Sequence, residues 1–78
     1  MKKVITGYAA FDKASGRGLS ITFGTTNRLS LTTDPDKVYI SDEAWAAERH
    51  ISWYNSSHKN QKEFEIKRVA VVTEIIVQ

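Results

Sequence analysis

The sequence predicts an α+β fold in which one helix packs against a face of an antiparallel sheet. Several short segments alternate apolar and polar residues and are rich in β-branched side chains, as strands are. One longer segment instead spaces its apolar residues three or four positions apart, as an amphipathic helix does. Polar turns short enough to join antiparallel strands separate these segments. The predicted order is β-β-(β)-β-α-β, with four strands, or five if Leu29–Thr32 also forms one.

The first two predicted strands form a hairpin. The first covers about Lys2–Phe11, and its two fairly apolar faces indicate a central strand that is partly covered on both sides. Gly7 within it indicates a bulge or a close packing neighbour. The second strand, Leu19–Phe23, alternates cleanly and follows a polar turn over Asp12–Gly18.

The segment between the hairpin and the helix is predicted to contain a short strand over Val38–Ile40. This strand follows a turn at Asp34–Lys37, in which Pro35 occupies the second position that β-turns favour. Leu29–Thr32 alternates only weakly, so the sequence leaves open either an edge strand or an irregular segment there.

One helix is predicted from Asp42 to about Asn55, with Ser41 as its N-terminal cap. The apolar stripe that should face the sheet consists of Ala44, Ala47, Ile51 and Tyr54. Trp45 and Trp53 flank this stripe. The sequence leaves open whether both tryptophans are buried or one of them lies at the surface.

The last segment is predicted to be a long, bent C-terminal strand. Phe64 and Ile66 share one of its faces, whereas the apolar residues from Val69 onward share the other. Because strand side chains alternate between faces, this change of parity near Arg68 requires a bulge, a bend or burial of both faces. A free edge of this strand would allow pairing with a second copy of the chain or with a target's strand.

Length and composition limit the possible functions. The 78 residues form one predicted domain, residues 1–78, without a cysteine for a disulfide or a thiolate metal site. We expect a cytoplasmic protein, because no segment has the apolar length of a signal sequence or a membrane span. The formal net charge of +2 is a mild excess, and the charges are interleaved along the chain.

No arrangement of residues predicts catalysis, so we expect a non-enzymatic protein with no cofactor. Serines and threonines lie on strands or in turns without a nucleophile motif, and turn and cap positions account for the acidic residues near the helix. His50 and His58 are too far apart for the tight ligand pairs of zinc sites. We expect both histidines to be exposed, with no metal bound.

Two kinds of binding remain, and the sequence favours the first, a protein interface on the helix with a tryptophan as anchor. Its candidate residues are Trp45, Trp53, Tyr54 and Arg49. The alternative is a nucleic-acid-binding domain that combines sheet aromatics with loop cations. Its candidate cations are Arg17, Arg28, Lys59 and Lys62. The alternative ranks second because a small core needs most of the aromatic rings for itself.

Two segments, Val38-Tyr39-Ile40-Ser41-x-x-Ala44-Trp45 and Phe64-Glu65-Ile66-Lys67-Arg68-Val69, carry a resemblance to known proteins. Together they resemble the small single-domain proteins encoded in the accessory regions of phages and prophages. The resemblance implies a modulator that binds a host protein stoichiometrically. It carries no catalytic or binding residue over to this chain.

Overall fold

The computed structural model describes every residue, Met1–Gln78, and contains four strands and one α-helix. The strands are β1 (Lys2–Asp12), β2 (Gly18–Thr22), β3 (Arg28–Thr32) and β4 (Phe64–Glu74), and the helix is α1 (Ala44–Ser57). A single 3-10 turn, Pro35–Lys37, lies between β3 and α1. The strands form one antiparallel sheet in the order β3-β2-β1-β4, and α1 packs on it. The predicted α+β class and the four-stranded sheet are confirmed.

β1 and β4 pair along their whole length without a bulge, from Lys2 opposite Glu74 to Asp12 opposite Phe64. The change of parity near Arg68 therefore has another cause. Phe64 packs against the core beneath α1, whereas Val69 lies on the opposite face beside the segment that precedes the helix. Each face of β4 is covered over a different stretch, so burial of both faces explains the sequence pattern.

The sequence predicted a strand at Val38–Ile40, and this prediction is wrong. The strand that completes the sheet is β3, in the region that the sequence left open. The segment Val38–Ile40 lies between β1 and β2, which pair directly only at Phe11 and Gly18. Its backbone, together with that of Ser41, is hydrogen-bonded to each neighbour at one residue only. The Tyr39 amide donates to the Leu19 carbonyl at 3.0 Å, and Ser41 and Tyr8 exchange two backbone hydrogen bonds of 2.8 Å. Single contacts on each side do not build a ladder, which is why its β-branched residues form no strand.

α1 begins at Ala44 rather than at Asp42, and Ser41 is not its cap. Ser41 is buried and its backbone is bonded to Tyr8, so the chain cannot turn into a helix there. Glu43 occupies the N-cap position without a side-chain cap hydrogen bond. The predicted apolar stripe is confirmed, because Ala47 and Tyr54 are buried against the sheet and its other members are half-buried.

Gly7 has the close packing neighbour that the sequence predicted. A Cβ atom at this position would collide with Ile40 and would lie 2.7 Å from the Ser41 carbonyl oxygen. The absence of a side chain therefore lets the segment before α1 approach β1 closely enough to bond with Tyr8. In the loop between β1 and β2, Gly16 adopts a positive φ of 74°, which suits the turn.

The core occupies only part of the molecule's length. It is a cluster of Ala10, Leu19, Leu29 and Tyr54, against which Ile21, Leu31, Ile51 and Phe64 pack. All the buried residues lie between Gly7 and Tyr54. We call residues 7–69 the body, and residues 1–6 together with 70–77 the arm. The arm contributes to a radius of gyration of 13.7 Å, compared with about 11.5 Å for a compact domain of this length.

Candidate protein-binding groove

α1 and the segment that precedes it border an open groove of about 590 Å³. Its aromatic lining consists of Tyr39, Trp45, His50 and Trp53, and its charged lining of Asp42, Glu43 and Arg49. The volume falls within the range of about 300–1,000 Å³ that is common for binding pockets. We refer to this feature below as the aromatic groove.

Both tryptophans lie at the surface, which the sequence could not decide. Trp45 is 58% exposed and Trp53 is 38% exposed. The buried stripe of α1 faces the sheet, so side chains on its flanks point away from the core. Arg49 is one helical turn from each tryptophan, and its guanidinium carbon lies 5.8 Å from the centre of the Trp45 ring. This cation–π contact holds one indole and the only cation of the groove together.

Tyr39 continues the aromatic surface from the helix towards β2. Its ring meets the edge of His50 with centroids 5.1 Å apart and the ring of Phe23 at 6.0 Å. Phe23 is itself 63% exposed. Sequence reasoning placed Tyr39 on the sheet and missed its contact with the helix, because nothing local to Tyr39 indicates which helical residue it meets.

His50 is half-buried, contrary to the expectation that both histidines are exposed. Burial, together with the positive charge of the adjacent Arg49, lowers the pKa of His50. The imidazole is therefore neutral at neutral pH, and Arg49 is the groove's only cation under those conditions. His58 is exposed, as predicted, and its ring stacks on Tyr54 at a centroid distance of 3.8 Å.

Tyr54, which the sequence offered as an interface residue, lies in the core with 5% of its surface exposed. Its ring contacts the edge of Phe64 at 5.3 Å, and its carbonyl oxygen lies 2.8 Å from His58 Nδ1. Tyr54 belongs to the apolar stripe that holds α1 on the sheet. It is therefore not part of the aromatic groove.

The four cations of the nucleic-acid alternative lie at two ends of the sheet. Because β1 ends where β4 begins, the loops that carry Arg17, Lys59 and Lys62 meet at one end. Arg28 begins β3 opposite Thr22, at the far end of β2. The five residues of β2 separate these ends by about 16 Å. The cations do not form a single basic patch.

One buried carboxylate lies outside the groove. Asp12 accepts hydrogen bonds from the Ser15 hydroxyl at 2.6 Å and from the Ser15 amide at 3.3 Å. The hydroxyl bond, followed by weaker contributions that include nearby Lys62, holds the pKa of Asp12 below its usual value of 3.8. These contacts fix the turn between β1 and β2. The structure contains no cluster of three or more potential metal-ligating side chains.

Family models, curated proteins and solved structures give no significant match to this chain. None of its helices combines the length and the apolar character required to span a lipid bilayer. The function proposed below therefore rests on the exposed aromatic chemistry of the groove.

Proposed function

We propose that the chain is a small non-enzymatic module that binds a partner protein through the aromatic groove. The observation that carries this proposal is the exposure of two tryptophans on one short helix. A buried aromatic side chain removes about 150–250 Å² from water, which makes it a large source of stability for a small core. Because both indoles lie at the surface, they are accessible to a partner protein, and tryptophan is among the residues most enriched at interface hot spots.

The groove suits a partner that inserts an apolar or aromatic side chain between Trp45 and Trp53. Arg49 would orient this partner and accelerate its approach, since charges at the rim of an interface act mainly on association rate and register. The effect of binding would be occlusion of the partner's own contact surface. In keeping with the resemblance described above, the partner would be a cytoplasmic host protein and the module a phage or prophage product.

The charges of the groove weigh against nucleic acid as its ligand. Asp42 and Glu43 line the groove beside Trp45 and would repel phosphates. Stacking of bases on aromatic side chains is normally combined with a positive groove that follows the backbone. Here Arg49 is the only groove cation, and the loop lysines lie elsewhere.

Affinity purification from a bacterial lysate tests this proposal when groove variants are compared with a matched control. The test variant is Trp45→Ala with Trp53→Ala, and the control is Glu48→Ala with Ser52→Ala, two exposed positions of α1 outside the groove. We expect a discrete protein to be retained after nuclease treatment by the natural chain and by the control. Loss of both anchors should weaken its binding by about 30-fold or more.

Two results would contradict the proposal. The first is retained material that absorbs at 260 nm and disappears with nuclease. The second is binding that is abolished by substituting Lys59 and Lys62 with alanine but is unaffected by the tryptophan variant. Thermal unfolding of every variant shows whether the fold is intact, since Trp53 is only partly exposed.

A further inference from the structure

The arm exposes apolar side chains that nothing in the chain covers. Val4, Val72 and Ile76 are 58%, 60% and 74% exposed. The whole chain exposes 5967 Å², whereas a folded monomer of its mass exposes about 4,800 Å². The excess is about 1,200 Å², more than the roughly 800 Å² that one partner contributes to a standard interface. The open surface is therefore sufficient for a stable contact with another molecule.

The outer edge of β4 is an unpaired row of backbone groups. β4 is the last strand of the sheet, and its odd-numbered residues bond towards β1, a ladder that Ile75 extends by donating to the Met1 carbonyl at 2.7 Å. The even-numbered residues consequently point their N–H and C=O groups to the open side. None of the turn, loop or side-chain hydrogen bonds involves these groups between residues 66 and 74.

We infer that two copies of the chain pair through this edge, antiparallel and symmetric about Val71. The outward groups of even-numbered residues must face each other, so the residue numbers of an opposed pair add to an even number. Of the registers that meet this condition, only the one centred on Val71 places Arg68 opposite Glu74 of the second copy. The twofold symmetry produces this pair twice.

The charges needed for this register are free in the single chain. The one salt bridge of the structure joins Lys67 to Glu65 at 2.9 Å and leaves Arg68 and Glu74 without an ionic partner. Directly opposed opposite charges stabilise an antiparallel pair of strands, and directly opposed like charges destabilise it. A self-complementary edge of this kind favours a second copy over an unrelated strand.

The same register places the two arms side by side at the symmetry axis and the end of each arm beside the body of the other copy. Val72 would lie opposite Ala70 of the second copy, and Ile76 opposite its Ile66, two residues from Phe64, which contacts Tyr54 of α1. The two sheets would join into one sheet of eight strands with both helices on the same face. The aromatic groove is bordered by Ser41, on the side of β1 away from β4, and would stay open.

Charge reversal tests both the dimer and its register. Sedimentation of the natural chain should show a dimer, and Arg68→Glu or Glu74→Arg alone should weaken it by about tenfold or more, because both symmetric pairs become repulsive. An equimolar mixture of the two variants should dimerise again, since every pair in the mixed dimer is then oppositely charged. Lys67→Glu is the matched control, with the same change of charge and no opposed charge in this register.

A cysteine at the symmetry axis tests the register independently. The chain has no cysteine, so Val71→Cys introduces one thiol. Opposed residues that are not hydrogen-bonded to each other have Cα atoms about 4.5 Å apart, close enough for a disulfide. Val71→Cys should therefore crosslink under mild oxidation. Val69→Cys should not, because its copies would be displaced by about 13 Å along the strands.

Three results would overturn the inference. The first is a natural chain that stays monomeric at millimolar concentration. The second is a dimer whose stability is the same in the natural chain, in Arg68→Glu, in Glu74→Arg and in the mixture of the two variants. The third is crosslinking of Val69→Cys in preference to Val71→Cys, which would require a different register.

Discussion

β1 and β4 keep one register from end to end, yet the two halves of this ribbon have different surroundings. In the body, α1 covers one face and the segment that precedes the helix covers the other. In the arm this cover ends at Val71, which is half-buried, and Val4 and Val72 are opposed to each other with more than half of each side chain exposed. Backbone pairing is the same in both halves, so burial is what distinguishes them.

This difference shows that the backbone pairing of β1 with β4 does not require their side chains to be buried. A two-stranded ribbon alone is marginally stable in water, and the arm is held in register because it continues strands that the body anchors. The arm is nevertheless richer in β-branched residues than the body half of the same two strands, with nine against two. β-branched residues favour paired strands, which is consistent with the proposed pairing of two copies.

The largest expected contrast comes from truncating one apolar side chain in each half. Leu19 is 2% exposed and belongs to the core cluster, so Leu19→Ala should lower the free energy of unfolding by about 3 kcal/mol. Val72→Ala in the arm should cost less than about 1 kcal/mol when the chain is dilute and monomeric. Urea unfolding measures both. Equal losses of unfolding free energy in the two variants would mean that Val72 is packed as tightly as Leu19.

A smaller contrast is expected where the body meets the arm. Gly7→Ala places a methyl group against the Ser41 carbonyl oxygen and should destabilise the fold by about 2 kcal/mol. Thr6→Ala, one residue further into the arm, removes atoms from an exposed position and should change stability by less than about 1 kcal/mol. Thermal unfolding compares the two. A stabilising Gly7→Ala would contradict the close approach of the Ser41 segment to β1.

The smallest expected effect is the acid sensitivity that Asp12 gives to the body. Its pKa is below the usual 3.8 in the folded chain, chiefly because of the Ser15 hydroxyl. The ionised form therefore stabilises the fold above pH 3.8, and this contribution is lost as the pH falls through the lower folded pKa. Urea midpoints measured from neutral to acidic pH should fall less for Asp12→Asn than for the natural chain. Urea midpoints that fall equally with pH in the natural chain and in Asp12→Asn would contradict this role.

Periodicity predicted the elements whose pattern and packing agree. The stripe from Ala44 to Tyr54 predicted which face of α1 is buried, and the long alternation from Phe64 predicted β4. The errors lie where tertiary contacts override local preference. Val38–Ile40 has strand-like residues, but the Tyr39 amide makes its only backbone hydrogen bond to a neighbouring strand, and Ser41 bonds to Tyr8 instead of capping the helix.

The candidate site was predicted only in part. Helical spacing placed Trp45 and Trp53 beside the buried stripe and Arg49 among the interface candidates, and the structure places all three in the aromatic groove. Which side chains stay exposed depends on how much surface the rest of the chain can cover, and that is a property of the folded whole. The contribution of Tyr39 depends on a contact with His50 from another element, for which no local pattern exists.

We interpret the uncovered half of the ribbon as a contact surface. The most direct test of this interpretation is amide exchange along β4, measured residue by residue at two protein concentrations. Odd-numbered amides such as Val69 and Val71 bond to β1 and should exchange slowly at both concentrations. The even-numbered amides of Ala70 and Val72 should be protected only at the higher concentration, where two copies pair. Rapid exchange of these even-numbered amides at every concentration would show that the edge stays open and would contradict the account.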